Sequence, residues 1–293
     1  MMGLKRGTVL LCEHDTAWAI EAQRTMERLK AIAGDAIRDI QHVGSTAIRS
    51  IRAKPIIDLA VAVDAFDAFL AHETALRAAG FYDRTNAQPA LRNQRLFACG
   101  SYYDGTGDLQ THFIHVVLTG GREWHDYICF RDYLNATPSA AKAYEALKLS
   151  LAERVPADGG REAYLRGKHD WIQDTLRTAR VQAYLGKTVT ISIDRPLGTA
   201  HPKHAELIYP INYGFLPGVP GGDGEALDVY LLGVDVPVRT YTAQIVGIVH
   251  RRSDVEDKLV AAPAGMQVSA EAIADAVRFQ EQYFDSTIEV WKG

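Results

Sequence analysis

The sequence is poor in the residues that mark secreted, membrane-bound or nucleic-acid-binding proteins. Cysteine occurs only at Cys12, Cys99 and Cys129, too widely spaced and odd in number for a disulfide framework or a metal knuckle, which points to free thiols in a reducing compartment. Positive charge is in deficit: 32 Lys and Arg face 36 Asp and Glu, a formal net charge of -4. The basic residues are scattered among acids, so no extended field exists to attract duplex nucleic acid. No apolar stretch approaches the roughly 20 residues that a membrane span needs. The apolar run after Lys5 and Arg6 stops at Glu13, too short for a secretory signal,. The expectation is a cytoplasmic protein with neither nucleic acid nor membrane as a partner, and open to assembly as a homo-oligomer.

What is present is a globular balance, with 47% hydrophobic and 23% charged residues over 293 positions, enough for two cores,. The first half alternates element types. A short strand is expected over 8–12, a helix over 16–33, a strand over 37–43, a branched and buried strand after Lys54, and a helix over 66–79,. Strands near 95–99 and 111–118 follow, then helices over 124–134, 139–153 and 161–179. From Thr188 onward the chain is strand-rich, with strands near 227–232, 241–250 and 258–261 and a closing helix over 270–284,. The fold class is therefore an α+β domain with a mixed sheet, residues 1–182, followed by a mainly β, OB-like barrel domain with a C-terminal helix, residues 183–293, the change falling near 181–187,.

In the second half Asp223, Glu225 and Asp228 crowd three carboxylates into six residues where a Gly-rich turn meets an apolar strand. Such crowding is unfavourable without a cation, and hard oxygen donors beside Lys and Tyr suit magnesium bridging carboxylates to phosphate. The competing reading is a solvated acidic turn. The longer context is Tyr209-Pro-Ile-Asn-Tyr-Gly, then Asp223-Gly-Glu-Ala-Leu-Asp-Val, then Asp254-Val-Glu-Asp-Lys-Leu-Val-Ala-Ala-Pro. In order and in most letters it resembles the family I soluble inorganic pyrophosphatases, from about Gly186 to Phe284. The resemblance implies a Mg2+-dependent hydrolase of pyrophosphate, with Mn2+ as the alternative ion. It places metal ligands at Asp223, Glu225, Asp228, Asp254 and one of Glu256 or Asp257, of which Asp257 is taken here. It places Asp228, Lys258 and Tyr213 in catalysis and Tyr209 and Tyr283 on phosphate, with Arg195, Lys203 and His204 as candidates for the upstream basic residues. The departures are Glu225 in place of the loop's middle Asp, a shorter hairpin, and Phe284 in place of the lysine after the last tyrosine.

In the first half the constellation is His42-Val-Gly-Ser-Thr, then Lys54 and Asp58. A Gly-Ser pair entering a turn offers N–H groups and a hydroxyl to phosphate, and a strand carboxylate can hold a metal beside it. With Lys54-Pro-Ile-Ile-Asp, His112-x-x-His115 and Phe130-Arg-Asp-Tyr-Leu, the set resembles the GrpB family over about Val9 to Arg180. That resemblance implies a nucleotidyltransferase-like fold with no established reaction. Gly44, Ser45 and Lys54 are the phosphate candidates, for a nucleotide, and Asp58 the metal candidate. The general nucleotidyltransferase pattern wants a second acid two residues on, where Ala60 stands, and His112 and His115 fall on opposite faces of a strand. The functional expectation is hydrolysis of pyrophosphate or a related phosphoanhydride in the second domain, beside a nucleotide-binding or nucleotidyl-transferring first domain. The alternative is a regulatory protein that binds nucleotide or phosphate without turnover, for which Ala60 and Phe284 speak.

Overall fold

Alternation along one strand organises the first half of the chain: Ile57, Leu59, Val61 and Val63 point to one side, and Asp58, Ala60 and Ala62 to the other,. The computed structural model describes residues 2–87, 93–201, 204–252 and 254–293. It divides into two units, Met1–Asp174 and Thr175–Gly293.

The first unit runs β1 (Leu4–Lys5), α1 (Ala17–Ala33), β2 (Asp39–Val43), β3 (Ile57–Val63), α2 (Phe66–Leu70), α3 (Glu73–Ala78), β4 (Tyr82–Asp83) and β5 (Gln94–Cys99). It continues through α4 (Ser101–Asp104), β6 (Leu109–Gln110), β7 (His112–Leu118), α5 (Arg122–Ala136), α6 (Pro138–Arg154) and α7 (Arg161–Gly167) to α8 (His169–Gln182), within which the division falls. The main sheet has the order β2-β3-β7-β5-β4, parallel only between β3 and β7. Trp18, Ala22 and Leu29 of α1 bury against Leu59, Val61, Ile114 and Phe97 on one face. Each such large side chain is worth about 1.5–3 kcal/mol when fully buried. The other face carries Asp58, Ala60 and His115, and α5 lies over it.

Three expectations change. Residues 8–12 form no strand; Cys12 makes one isolated bridge to Ala53, and the Val9 N–H goes to Ala157 O at 2.8 Å. The helix over 66–79 breaks into α2 and α3, because the His72 N–H closes a tighter turn on Phe69 O at 3.1 Å,. The helix over 161–179 is likewise two helices, α7 and α8, parted at Lys168.

The second unit comprises β8 (Thr188–Arg195), β9 (Ala200–His201), β10 (His204–Ile208), β11 (Asn212–Pro220), β12 (Ala226–Leu231), β13 (Thr240–Arg251), β14 (Lys258–Ala262), α9 (Ala270–Glu281) and β15 (Ser286–Val290). Strands β14, β12, β11, β8 and β13 follow one another and β13 returns to β14, closing a five-stranded barrel, with β15 added outside β13. Leu227, Val229 and Leu231 fill one side of β12 with Ile191, Ile245 and Leu259, while Tyr230 and Leu232 on the other side meet Ile273 and Val277 of α9. Ser269 caps α9 by accepting the Ala272 N–H at 3.2 Å,. The asparagine of the Tyr-Pro-Ile-Asn-Tyr-Gly segment is a structural tie. Buried Asn212 accepts from Leu197 N and Val238 N through Oδ1 and donates to Val234 O and Val236 O through Nδ2. Among the described residues no helix is long and apolar enough to cross a membrane.

Candidate functional site

Period-two geometry assembles the site of the second unit. Asp228 and Tyr230 share one side of β12, Lys258 and Val260 the same side of the adjacent β14, and Tyr213 of β11 joins Tyr230 at 5.0 Å between ring centroids,. The Lys258 Nζ donates to Asp228 Oδ2 and, at 2.6 Å, to Glu256 Oε2. Burial works against the lysine's charge, yet Asp228 and Glu256 hold its ammonium above the ordinary lysine value,. Burial raises Glu256 from its ordinary carboxylate value despite Lys258, with the charges of Asp228 and Asp223 adding to the shift. Tyr213 hydrogen-bonds to Asp228, and burial followed by that carboxylate's field keeps the phenol protonated.

Tyr209, fully enclosed, packs 5.5 Å from Tyr213 and lies in the field of Arg195, Asp194, Asp228 and Lys258. Arg195 pairs with Asp194 at 2.8 Å, and Asp194 is itself pushed up, by burial first and by Asp228 among the lesser causes.

The other sequence candidates are placed elsewhere. Asp257 faces the opposite way from Glu256: its oxygens take His250 Nδ1 at 2.7 Å and the Arg251 N–H at 3.1 Å, so the structure brings Glu256 and not Asp257 to Lys258. Asp254 is held by Arg251 Nη1 at 2.8 Å. Asp223 and Glu225 are exposed at the turn, where Asp223 Oδ1 accepts the Glu225 N–H at 2.9 Å. Tyr283 is 72% exposed, and Phe284 lies under the Arg251 guanidinium at 3.8 Å. His204 is exposed beside Glu206 at 3.4 Å, and Lys203 lies outside the described residues. Asp194 went unnoticed in the sequence, although its place just before Arg195 was a usable signal.

Glycine is required at Gly221 for the acidic group to close. A Cβ there would stand 1.7 Å from Glu256 Oε1, the oxygen that accepts the Gly222 N–H at 3.2 Å. The donors gathered here, Asp228 and Glu256 with Lys258 between them, are hard carboxylate oxygens, which fits a magnesium-type cation,. Among the described residues no three His, Cys, Asp or Glu side chains already converge as ligands; Lys258 stands between two of the carboxylates as their countercharge.

In the first unit Gly44 takes φ +68°, and a Cβ on it would lie 2.5 Å from Asp58 Oδ2, so the Gly-Ser turn presses its backbone onto the strand carboxylate,. Ser45, Lys54 and Asp58 line one cavity of about 140 Å³. Ala60 pairs across the sheet with His115, whose Nε2 reaches to 3.5 Å from Asp58 Oδ1 and whose Nδ1 meets the Tyr127 hydroxyl at 2.9 Å. An imidazole thus flanks the position where a second acid was sought. His112 turns to the opposite face, 3.1 Å from Thr25 Oγ1 and 2.9 Å from Thr111 Oγ1.

Burial pulls the His112 imidazole down to about 4, so Glu21 at 3.7 Å pairs with it only after protonation. The unfolded state therefore binds this proton first, and stability present above pH 6.5 drains away toward pH 4, by on the order of 3 kcal/mol at most. His112→Gln should flatten the acid limb of a Tm-against-pH profile over that window. A limb as steep as the parent's would assign the loss to other groups.

Residues 8–178 match the GrpB protein family profile and residues 186–291 the inorganic pyrophosphatase profile. The chain is 37% identical over 177 residues to the glutamate-rich protein GrpB of Alkalihalophilus pseudofirmus, covering 60% of this chain and 98% of that one. It is 32% identical to YqkA of Bacillus subtilis over 57% of its own length and 46% of the relative's, so it spans less than half of that relative. The structure of GrpB from Enterococcus faecalis is similar at a TM-score of 0.52 and 24% identity, covering 58% of this chain and 96% of that one. The inorganic pyrophosphatase of Ehrlichia chaffeensis aligns at a TM-score of 0.30 and 18% identity, over 36% and 88% of the two chains.

Proposed function

Because the chain belongs to the GrpB family through its first half and carries a pyrophosphatase-like barrel in its second, we propose that the barrel hydrolyses pyrophosphate or a related phosphoanhydride with the help of a divalent cation. The observation that carries this reading is the Asp228–Lys258–Glu256 group on one face of β12 and β14, backed by Tyr213 and Tyr209. A magnesium ion held by Asp228 and Glu256 would supply Lewis-acid polarisation of the phosphoryl oxygens.

The protein's own groups do the rest. When phosphate arrives, the Lys258 ammonium transfers its hydrogen bonds from carboxylate to phosphoryl oxygen and offsets the charge that develops there. Arg195 is partly exposed and already tethered by Asp194, so it can clamp a second phosphate. Tyr213 stays protonated and can donate, which orients either Asp228 or the substrate. Cysteines without a disulfide among the described residues suit a reducing compartment such as the cytoplasm,.

The test is phosphate release from pyrophosphate by the full chain with magnesium, with manganese and with chelator. Release only with a divalent ion is the expected result, and none in any condition rejects the hydrolase in favour of a barrel that binds without turnover. That second reading draws on Phe284, whose ring stacks on Arg251 where the family pattern has a cation.

A further inference from the structure

The first unit contains cations that its own carboxylates do not match. Lys54 leads into β3, Lys148 projects from α6, Arg161 opens α7, and Lys168 sits between α7 and α8; all four line the cavity of about 140 Å³ that Ser45 and Asp58 also border. Their nearest company is uncharged: aromatic rings, a backbone carbonyl and, for Arg161, the side-chain oxygen of Gln110, to which its Nη1 donates at 2.5 Å. Lys54 Nζ stands 4.9 Å and Lys168 Nζ 5.1 Å from the centroid of the buried Tyr164 ring, and the Arg161 guanidinium lies 4.9 Å from that of Phe113. Lys148 Nζ donates to the Arg52 carbonyl and lies 4.8 Å from the Tyr144 ring. Among the described residues none of the four has an ion-pair partner within 4 Å, and Asp58 is the one carboxylate on the wall. Burial, then the charges of Lys168 and Arg161, pulls Lys54 down to about 7; burial, then Lys168, brings Lys148 to about 7,. Cations concentrated in this way are relieved only by losing protons or by gaining an anion.

The size of the cavity narrows the anion. About 140 Å³ is the space of four or five waters at roughly 30 Å³ each, and well below the roughly 300 Å³ at which sites for drug-sized molecules begin,. A base and ribose do not fit, whereas linked phosphoryl groups do. The Gly44–Ser45 turn borders the same space, which adds a hydroxyl and turn N–H groups of the kind that cradle phosphate,.

We propose that this cavity binds the phosphoanhydride chain of a di- or triphosphate, held by Lys54, Arg161 and Lys168 with Ser45 at its edge. The proposal deepens the phosphate assignment of Gly44, Ser45 and Lys54, and does not depend on hydrolysis in the second unit. The chain is the recognised part whether it is free or attached to a nucleoside. For an attached nucleoside, a neighbouring cavity of about 560 Å³ shares Phe113, Arg161 and Leu165 with this one.

The test is calorimetric titration of the full chain at pH 7 in chelator with inorganic tripolyphosphate, ATP and AMP, on the parent, Lys54→Gln and Lys168→Gln. Tripolyphosphate or ATP should bind the parent, and each substitution should weaken that binding about tenfold or more, as loss of a charge-assisted contact does. Thermal unfolding without ligand should be unchanged or higher in Lys54→Gln, since a buried cation is removed, whereas a merely structural lysine would lower it. Should Lys54→Gln fail to fold, the half-buried Lys168 provides the decision alone. Binding of tripolyphosphate but not ATP identifies a free chain, and binding of both a chain that a nucleoside can carry; either supports the proposal. Equal affinity in parent and folded variants, AMP binding as tightly as ATP, or no binding by the parent overturns it.

Discussion

Asp228→Asn should lower phosphate release from pyrophosphate by roughly a hundredfold or more, with little change in the thermal unfolding of the barrel. The carboxylate lies on β12, on the face that carries Tyr230, and it is where Lys258 and Tyr213 both direct a hydrogen bond. Asparagine keeps the shape and one acceptor oxygen, so Lys258 retains a neutral partner there as well as Glu256 at 2.6 Å. The packing of Val229 and Leu231, which face the barrel interior, is untouched. What disappears is the negative charge that draws a cation and positions phosphate against Lys258. Steady-state phosphate release at saturating magnesium, with circular dichroism as the control for folding, measures the effect. Release within about threefold of the parent's would remove Asp228 from the reaction and leave it a structural partner of Lys258.

The change from a mixed first half to a strand-rich second half was legible in local pattern: helical spacing over 16–33, a dense branched run at Ile57–Val63, and strand-rich sequence from Thr188 onward. The pairing of Asp228 with Lys258 follows from motif and pleat together, since Asp228 lies early in β12 and Lys258 begins the adjacent β14 on the same side. Glu256 was harder, because motif letters alone left Glu256 and Asp257 equivalent. Counting back by two from Lys258 would have separated them, for Glu256, Lys258 and Val260 share a face while Asp257 falls opposite, beside His250,.

Strand β15 was missed because it is only five residues long, Ser286–Val290, and its alternation of Ile288 and Val290 with Thr287 and Glu289 is too brief to stand out without its long-range pairing to β13. The cationic cavity escaped for a related reason. Lys148, Arg161 and Lys168 each look like an ordinary solvated helix residue, and only the packing of α6, α7 and α8 brings them to Lys54. His115 was read by its spacing from His112, whereas its register against Ala60 determines what it touches.

Lys258→Met should act on stability as strongly as Asp228→Asn acts on rate. The lysine side chain is 7% exposed and its partner Glu256 4%, so the substitution leaves one carboxylate buried without its cation and a second, Asp228, beside it. Breaking a buried pair from one side costs roughly 3–5 kcal/mol, and the partial exposure of Asp228 reduces this to about 2–3 kcal/mol, or a fall in Tm of about 10 °C for a domain of this size. The loss has a defined pH sign. Glu256 is already raised in the folded state by burial, and without Lys258 it rises further, so the folded barrel binds that proton more readily than the unfolded chain does,. The deficit is therefore full above the folded pKa of Glu256 and shrinks as the pH falls toward the ordinary carboxylate value. Added magnesium should raise the Tm of Lys258→Met more than that of the parent, because the ion takes up the charge the lysine had balanced. Thermal unfolding of parent and variant from pH 5 to 8, with magnesium and with chelator, measures both effects. A deficit that is constant with pH and indifferent to magnesium would mean that Lys258 contributes through its aliphatic packing, and that these carboxylates do not form a cation-seeking group.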